Sequence, residues 1–560
     1  MEIFKIENLS FTYPGQARGA LKDISLCIAP GQFIVVCGPS GSGKTTLLKM
    51  MKRELRPHGE KRGNVFYNGT DLEALDGRTA ALEIGYVTQS PENQLVTDKV
   101  WHELAFGLEN MGLPAPVIRR RVAEMACFFG LEPLFREDTA RLSGGQKQRL
   151  NLAAVMAMMP KVLILDEPTS HLDPIAASEF IAMLQKINRD LGTAVVLAEH
   201  RLEEVFPLAD KALLLEEGSV AAFDTPRRVG DFLREQSGAH PMLLGMPSAV
   251  RIFSGLDAHG ACPLTVKEGK DFLSAHFRPP AQNHGKPAPP QREEKPPVVE
   301  LKDVWFRYER HLPDILRGVN LTVRPGQWVS VLGGNGSGKT TLLKVIAAQQ
   351  RAYKGKIDIG GKKQREYKGS ELYRRNLALL PQNPQDVFVK ATLLEDYGEI
   401  CRVMGDRRKE AEEKIETAAR QAGVEHLLGR HPYDLSGGEQ QKAALGKLLL
   451  LEPRVLLLDE PTKGIDAHAK RELSGILRRL LEKGAAVLMV THDVEFAAEY
   501  SGRCAMLFDA ELSPAESPAD FFGGNQFYTT AANRMARHLF PLAVTCAGVI
   551  AACRESRGDA

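Results

Sequence analysis

The sequence predicts an α/β protein built from two tandem copies of one domain. Each copy should hold a mainly parallel sheet, an antiparallel β subdomain at its front and a helical subdomain. Three observations carry this expectation. The chain repeats itself: GPSGSGKTTLLK at 38–49 returns as GNGSGKTTLLK at 334–344, LSGGQKQR at 142–149 as LSGGEQQK at 435–442, and LILDEPTSHLD at 163–173 as LLLDEPTKGID at 456–466. The offset is 295 residues from Lys44 to Lys339 and 293 from both Ser143 to Ser436 and Asp166 to Asp459. A period this long is a duplicated domain, not a solenoid unit. The segments KVLILDEP, RVLLLDEP, TAVVLAEH and AAVLMVTH are apolar without alternation, as strands covered by helices on both faces require. Finally, each half opens with alternating segments bounded by Pro-Gly turns: IFKIENLSFTY before IAPGQFIVVCG, and VVELKDVWFRY before VRPGQWVSVLG.

Between the halves, residues 278–297 carry seven prolines among charged residues. Such a stretch cannot bury a core and reads as an extended linker. The expected domains are therefore 1–277 and 298–560. The tails at 230–277 and 520–560 give no functional reading. With 72 basic against 70 acidic side chains the net charge is only +2, which argues against nucleic acid as the main partner. No run of 18 apolar residues occurs, and the longest, 539–552, is interrupted by Pro541. The opening residues lack a basic, then apolar, secretion signal. Eight cysteines are scattered without a CxxC pair, so reduced thiols are expected rather than disulfides, zinc or an iron–sulfur cluster. These readings describe a soluble, intracellular, multidomain chain.

The chemistry concentrates in the repeated landmarks. Gly38-Pro39-Ser40-Gly41-Ser42-Gly43-Lys44-Thr45-Thr46 and Gly333-Gly334-Asn335-Gly336-Ser337-Gly338-Lys339-Thr340-Thr341 each follow an apolar strand and open a helix. In that context the glycines let backbone amides wrap a phosphate, lysine faces the β and γ phosphates, and Thr45 or Thr340 coordinates Mg²⁺. About 0.03 chance matches are expected in a chain this long, so two at a shared offset are not accidental. Asp166 with Glu167, and Asp459 with Glu460, end buried strands; the first carboxylate suits Mg²⁺ and the second water activation. His200 and His492 follow those glutamates by 33 and 32 residues, within reach of a γ-phosphate. Gln89 and Gln382 each stand 54 residues before an SGG serine, where an amide could ligate the metal or orient water. Tyr13 and Tyr308 end the first strand of each half and are either adenine-stacking rings or core aromatics.

Read in order, Gly-x4-GKT, glutamine, LSGG(Q/E), LLLDEP and histidine is similar to the full motif series of ABC-type ATPases, present twice. That resemblance implies ATP and Mg²⁺ as ligands and a head-to-tail sandwich formed within the chain. Ser143, Gly144 and Gly145 would touch the nucleotide held by the Lys339 loop; Ser436, Gly437 and Gly438 would touch that held by the Lys44 loop. Each LSGG also opens a helix whose amides suit a phosphate. Both halves keep Lys, Asp, Glu and His, and Glu439 in place of Gln146 is a minor departure. No fused membrane domain is present, and the 99 residues from Lys44 to Ser143 leave no room for a coiled-coil arm. Two classes remain: a membrane-transport motor, and a ribosome-binding switch with tandem ATPase halves. The short Pro-rich joint and near-zero charge favour the motor.

The segment 86–114 (YVTQSPENQLVTDKVWHELAFGLENMGLP), with FTYP, AEHRLEEV and PQNPQDVFVKATLLEDY, resembles the energy-coupling factor (ECF) importer type. The resemblance implies a transmembrane coupling protein and a separate substrate-capturing membrane protein as partners, with the chain peripheral on the cytoplasmic face of the membrane. Cargo would be a vitamin, a vitamin precursor, or cobalt or nickel ions. No nucleic-acid partner is expected. The docking surface is expected at 92–107, where Leu95, Val96, Val100, Trp101, Leu104 and Phe106 interleave with Glu92, Asp98 and Glu103. Val100 and Leu104 should face inward, while 94–97 and the matching 385–390, with Asp386, form lips for a partner helix.

Overall fold

The computed structural model describes residues 2–16, 18–170, 172–236, 240–279 and 295–556. Most of the expected linker, 280–294, lies outside the described residues. The chain divides into two compact units, one of residues 1–254 with 259–265 and the other of 255–258 with 266–560.

The first unit contains β1 (Phe4–Thr12), β2 (Leu21–Ile28), β3 (Phe33–Cys37), β4 (Glu60–Tyr67), β5 (Thr70–Asp71), β6 (Ile84–Val87), β7 (Val162–Asp166), β8 (Ala194–Ala198), β9 (Lys211–Glu216) and β10 (Ser219–Asp224). An antiparallel sheet runs in the order β2-β1-β4-β5. Alternation in β1 buries Phe4 and Ile6, then slips by one residue so that Leu9 and Phe11 stay inside. Asn8 absorbs the slip with φ 49°, a left-handed bulge residue that restores the inward register.

The main sheet runs β10-β9-β3-β8-β7-β6, parallel throughout except for the β9–β10 pair. Every residue of β3, β6, β7 and β8 is buried, which is why these strands read as unbroken apolar runs. Because the four are parallel, the segments that follow them leave from one edge of the sheet, the carboxyl edge where α/β folds collect their ligands.

The second unit repeats the plan with β11 (Val299–Phe306), β12 (Leu316–Val323), β13 (Trp328–Leu332), β14 (Lys354–Ile359), β15 (Lys362–Lys363), β16 (Leu377–Leu380), β17 (Val455–Asp459), β18 (Ala486–Thr491), β19 (Arg503–Phe508) and β20 (Glu511–Leu512). Its sheets run β12-β11-β14-β15 and β16-β17-β18-β13-β19-β20, the same order strand for strand. Asp303, at φ 50°, repeats the Asn8 bulge.

A helical subdomain sits between the second and third parallel strands in sequence, β6 and β7 in the first unit and β16 and β17 in the second. It comprises helices Val100–Asn110, Ala115–Phe128 and Gly144–Ala157 in the first unit, and Leu393–Met404, Arg408–Ala422 and Gly437–Leu449 in the second. The two tails are helical as well: Pro226–Glu235, Ser248–Gly255 and Val266–His276 follow the first half, and Pro518–Gly524, Ala531–Ala536 and Cys546–Ser556 close the second.

Candidate functional site

The loop after β3 has one shape that only glycine allows. Gly43 has φ 101°, and a Cβ there would stand 2.6 Å from the Ala20 carbonyl oxygen. Gly338 repeats this with φ 100° and the Ile315 carbonyl at 2.9 Å. Both glycines cap their helices without a side-chain hydrogen bond of their own. Lys44 Nζ folds back onto the carbonyls of Gly38 and Pro39 at 2.9 and 3.1 Å, and Lys339 onto Gly333 and Gly334 at 2.8 and 2.9 Å. The lysines thereby close rings that hold the loops in a phosphate-sized curl.

The loop reaches the end of the strand two places away. Thr45 Oγ1 donates to Asp166 Oδ1 at 3.0 Å, and Thr340 Oγ1 to Asp459 Oδ1 at 3.1 Å. Glu167 and Glu460, next in sequence, take φ 47° and 49°, left-handed values costly for a residue with a side chain. Their amides bond forward to Ala198 and Val490 at 2.9 Å, which fixes the turn. This conformation swings each carboxylate away from its aspartate toward the histidine after the next strand. His200 Nε2 lies 2.9 Å from Glu167 Oε1, and His492 Nδ1 lies 2.8 Å from Glu460 Oε2. Lys, Thr, Asp, Glu and His are thus brought together in each unit.

The glutamines differ. Gln89 is half-buried and donates to Glu167 Oε2 at 3.0 Å, whereas Gln382 stands exposed. The tyrosine hydroxyls reach the loop helix: Tyr13 meets Thr46 Oγ1 at 3.1 Å and Tyr308 meets Thr341 Oγ1 at 3.0 Å. Each ring also lies edge-on to an inner phenylalanine, Phe11 or Phe306, at 4.9 and 5.0 Å. Ser143 and Ser436 cap their helices in reciprocal capping boxes with Gln146 and Glu439. In the second, Ser436 Oγ additionally donates to Glu439 at 2.7 Å.

Electrostatics single out the aspartates. Burial, with the charge of Glu167 adding, pushes Asp166 up to about 6 against the opposing Thr45 bond. Burial likewise pushes Asp459 up to about 6, opposed by its Thr340 bond and aided by the charge of Glu460. Burial alone would raise Glu460 too, but its hydrogen bond and charge contact with His492 and the Lys339 charge hold it below the ordinary range. Each hydroxyl–carboxylate pair is a hard-oxygen donor set whose carboxylate resists ionisation without a cation beside it. That fits Mg²⁺, which takes one or two protein oxygens and completes its shell with water and phosphate.

A raised carboxyl destabilises the folded state once it ionises. The penalty is absent below the unfolded value of 3.8, grows as pH rises, and is complete above about 6. Asp166→Asn and Asp459→Asn should therefore stabilise the nucleotide-free chain above pH 6, by up to about 3 kcal/mol per site. The gain should vanish below about pH 4. Melting curves across pH check this; a gain independent of pH would point to packing instead.

Three further features escaped the motif reading. Tyr86, buried in β6, donates to Asp166 Oδ2 at 3.4 Å, while the matching residue of the second half is Leu379. In the second unit a cavity of about 280 Å³ opens between Thr340, Lys344, Leu379, Pro381, Asp386 and Asp459. Glu199, buried beside His200, accepts from Thr169 Oγ1 at 2.7 Å and Thr169 N at 2.9 Å, and the second half has Thr491 there.

The structure also corrects the expected docking acids. Glu103 is buried, and its Oε2 accepts from the amides of Val96 and Thr97 at 3.1 and 2.7 Å. Asp396 does the same for the amide of Val389 at 3.1 Å and also holds the buried Lys447 Nζ at 2.8 Å. These carboxylates are internal struts, so they offer no charge to a partner. Glu92 is bonded to Lys147 at 3.2 Å, whereas Asp98 is exposed. Val100 and Leu104 are buried as expected.

A family model described as ABC transporter matches residues 21–170 and 316–463. A protein of Bacillus cereus, provisionally named an ABC transporter ATP-binding protein, is 42% identical over 556 residues, covering 98% of this chain and 98% of its own. One from Streptomyces coelicolor, named in the same way, is 35% identical over 548 residues, covering 92% of this chain and 94% of its own. Among solved structures, cbiO1 from Clostridium perfringens, described as part of the ABC transporter complex cbiONQ, is 31% identical with a TM-score of 0.38, covering 44% of this chain and 97% of its own. The chain belongs to the ABC transporter family, as a tandem ATP-binding protein that binds ATP with Mg²⁺ and hydrolyses it.

Proposed function

We propose that the chain is the energy-coupling ATPase of an ECF-type importer for a vitamin, a vitamin precursor or a transition-metal ion. It would work at the cytoplasmic face of the membrane beneath a transmembrane coupling protein, with a separate membrane protein capturing the cargo. Glu167 and Glu460 act as general bases, oriented by His200 and His492. Thr45 with Asp166, and Thr340 with Asp459, hold Mg²⁺, with Gln89 and Gln382 as further ligands or water-orienting amides. The loops 38–46 and 333–341 hold the phosphates, and Tyr13 and Tyr308 lie against the adenine side. Each ATP is closed in by the Ser-Gly-Gly turn of the opposite half.

One observation carries the membrane-partner reading. In each half an apolar pair stands exposed at the same position: Val96 (67%) with Trp101 (41%), and Val389 (71%) with Leu394 (50%). Surface valines scattered singly need no explanation, but here each half pairs a loop valine, pinned by a buried carboxylate, with an apolar residue in the first turn of the helix that follows, and such a repeated exposed pair supports a docking surface. It lies just beyond Gln89 or Gln382, so it is connected to the catalytic edge by a few residues of chain. A cytoplasmic helix of the coupling protein fits it, with Asp98 and Asp386 able to set its orientation through basic residues.

Tagged chain purified from detergent-solubilised membranes should bring down a polytopic membrane protein. Val96→Asp with Val389→Asp should lower that recovery about 10-fold or more at an unchanged melting temperature. Recovery of ribosomal proteins instead would favour a nucleotide-gated ribosome switch and overturn the importer reading.

A further inference from the structure

Three apolar residues that line the second unit's cavity have polar counterparts in the first unit. At the 293-residue offset Leu379 answers Tyr86, Pro381 answers Thr88, and Val387 answers Gln94. In the first unit these three residues are hydrogen-bonded to one another. Gln94 Nε2 donates to the Tyr86 carbonyl at 3.0 Å, while its Oε1 accepts from Thr88 N at 3.0 Å and Thr88 Oγ1 at 3.2 Å. The Gln94 amide thereby ties down the end of β6. From that end the buried Tyr86 side chain reaches the neighbouring strand, β7, and donates to Asp166 Oδ2 at 3.4 Å.

The consequence falls on the two aspartates. Asp166 accepts at both oxygens, from Thr45 at Oδ1 and from Tyr86 at Oδ2, so turning the carboxylate breaks one bond or both. The Asp459 carboxylate accepts from Thr340 alone among the described residues, and it borders the cavity of about 280 Å³. Groups that hydrogen-bond a metal-holding carboxylate fix its orientation, and losing one typically costs about 10- to 100-fold in metal affinity. At 3.4 Å the Tyr86 bond is long, and bonds at such sites commonly shorten once the ligand is in place.

We propose that Tyr86 is a positioning residue for the metal-holding carboxylate of the first half, a role that Leu379 leaves unfilled in the second. The inference rests on the reading of Asp166 and Asp459 as Mg²⁺ ligands. It makes the halves unequal although their motifs are equally complete. The first site should hold a divalent metal about 10-fold more tightly than the second.

Mn²⁺ in place of Mg²⁺ tests this by electron paramagnetic resonance, in the full chain saturated with a non-hydrolysable ATP analogue. Asp459→Asn leaves the first site to be read alone, and Asp166→Asn leaves the second. In the Asp459→Asn chain, Tyr86→Phe keeps the ring and its packing, yet should weaken Mn²⁺ binding about 10-fold. Binding of the analogue without metal should not change, a separation that a merely structural defect would not give. In the Asp166→Asn chain, Tyr86→Phe should leave Mn²⁺ binding as it was. Unaltered Mn²⁺ binding at the first site overturns the proposal, and so does equal weakening at both sites or of metal-free analogue binding. A chain that keeps both Mn²⁺ ions after Asp166→Asn sinks the metal-ligand reading itself, and the proposal with it.

Discussion

Replacing Glu167 and Glu460 together by Gln is expected to lower steady-state ATP turnover by about 10²- to 10⁴-fold while ATP still binds. Both residues sit at left-handed φ with their amides bonded to the following strand, constraints that Gln meets as well as Glu does. The amide keeps the size and planarity of the carboxylate against His200 and His492. What it loses is the capacity to take a proton. For Glu460 that capacity is present at neutral pH, since His492 and Lys339 keep the carboxyl ionised in spite of burial. Turnover and equilibrium ATP binding, measured on the same preparation, separate the two properties. A double variant turning over at more than a small fraction of the parent rate would move the general base elsewhere.

Gly144→Asp and Gly437→Asp are each expected to cut turnover strongly without harming the fold. A Cβ at Gly144 meets nothing within 4 Å, and at Gly437 it meets only the Gly464 carbonyl at 3.5 Å. An acidic residue in the first turn of a helix is itself favourable, by about 0.3–1 kcal/mol. The harm arises only if a γ-phosphate approaches that turn. Two like charges about 4 Å apart near a protein surface repel by about 4 kcal/mol, which is about a thousandfold in the closed, ATP-bound form. Substitution at Ser143 or Ser436 would be a poorer probe, because removing a capping side chain unsettles the helix whether or not ATP is near. Normal turnover by a Gly144→Asp chain of unchanged melting temperature would show that ATP does not meet this turn.

The framework of the fold was legible because it is carried by local chemistry. Unbroken apolar runs such as 162–166 and 455–459 have one stable placement, inside a parallel sheet, and the glycines of the two loops announce backbone that no other residue adopts. The convergence of Lys44, Asp166, Glu167 and His200 followed, since all leave parallel strands at one edge. Contacts that depend on long-range packing were not legible. Gln89 and Gln382 share a spacing, yet only Gln89 bonds its glutamate, and nothing near either residue encodes the difference. Glu103 reads as one more surface acid because its partners are backbone amides, which the sequence does not display. The tails were opaque for the same reason: the apolar positions of 266–276 ask for a cover, and the cover lies more than 250 residues away at 531–538.

That each ATP is held by the loop of one half and the Ser-Gly-Gly turn of the other is tested most directly by locating trapped nucleotide in a chain mutated on one side only. A photoreactive ATP analogue is trapped on the Gly144→Asp chain, the chain is cut within 280–294, and the halves are separated in denaturant to see which carries the label. Label should disappear from the half containing Lys339 and persist on the half containing Lys44, with the mirror result for Gly437→Asp. Loss of label from the half that bears the substitution would contradict the head-to-tail arrangement.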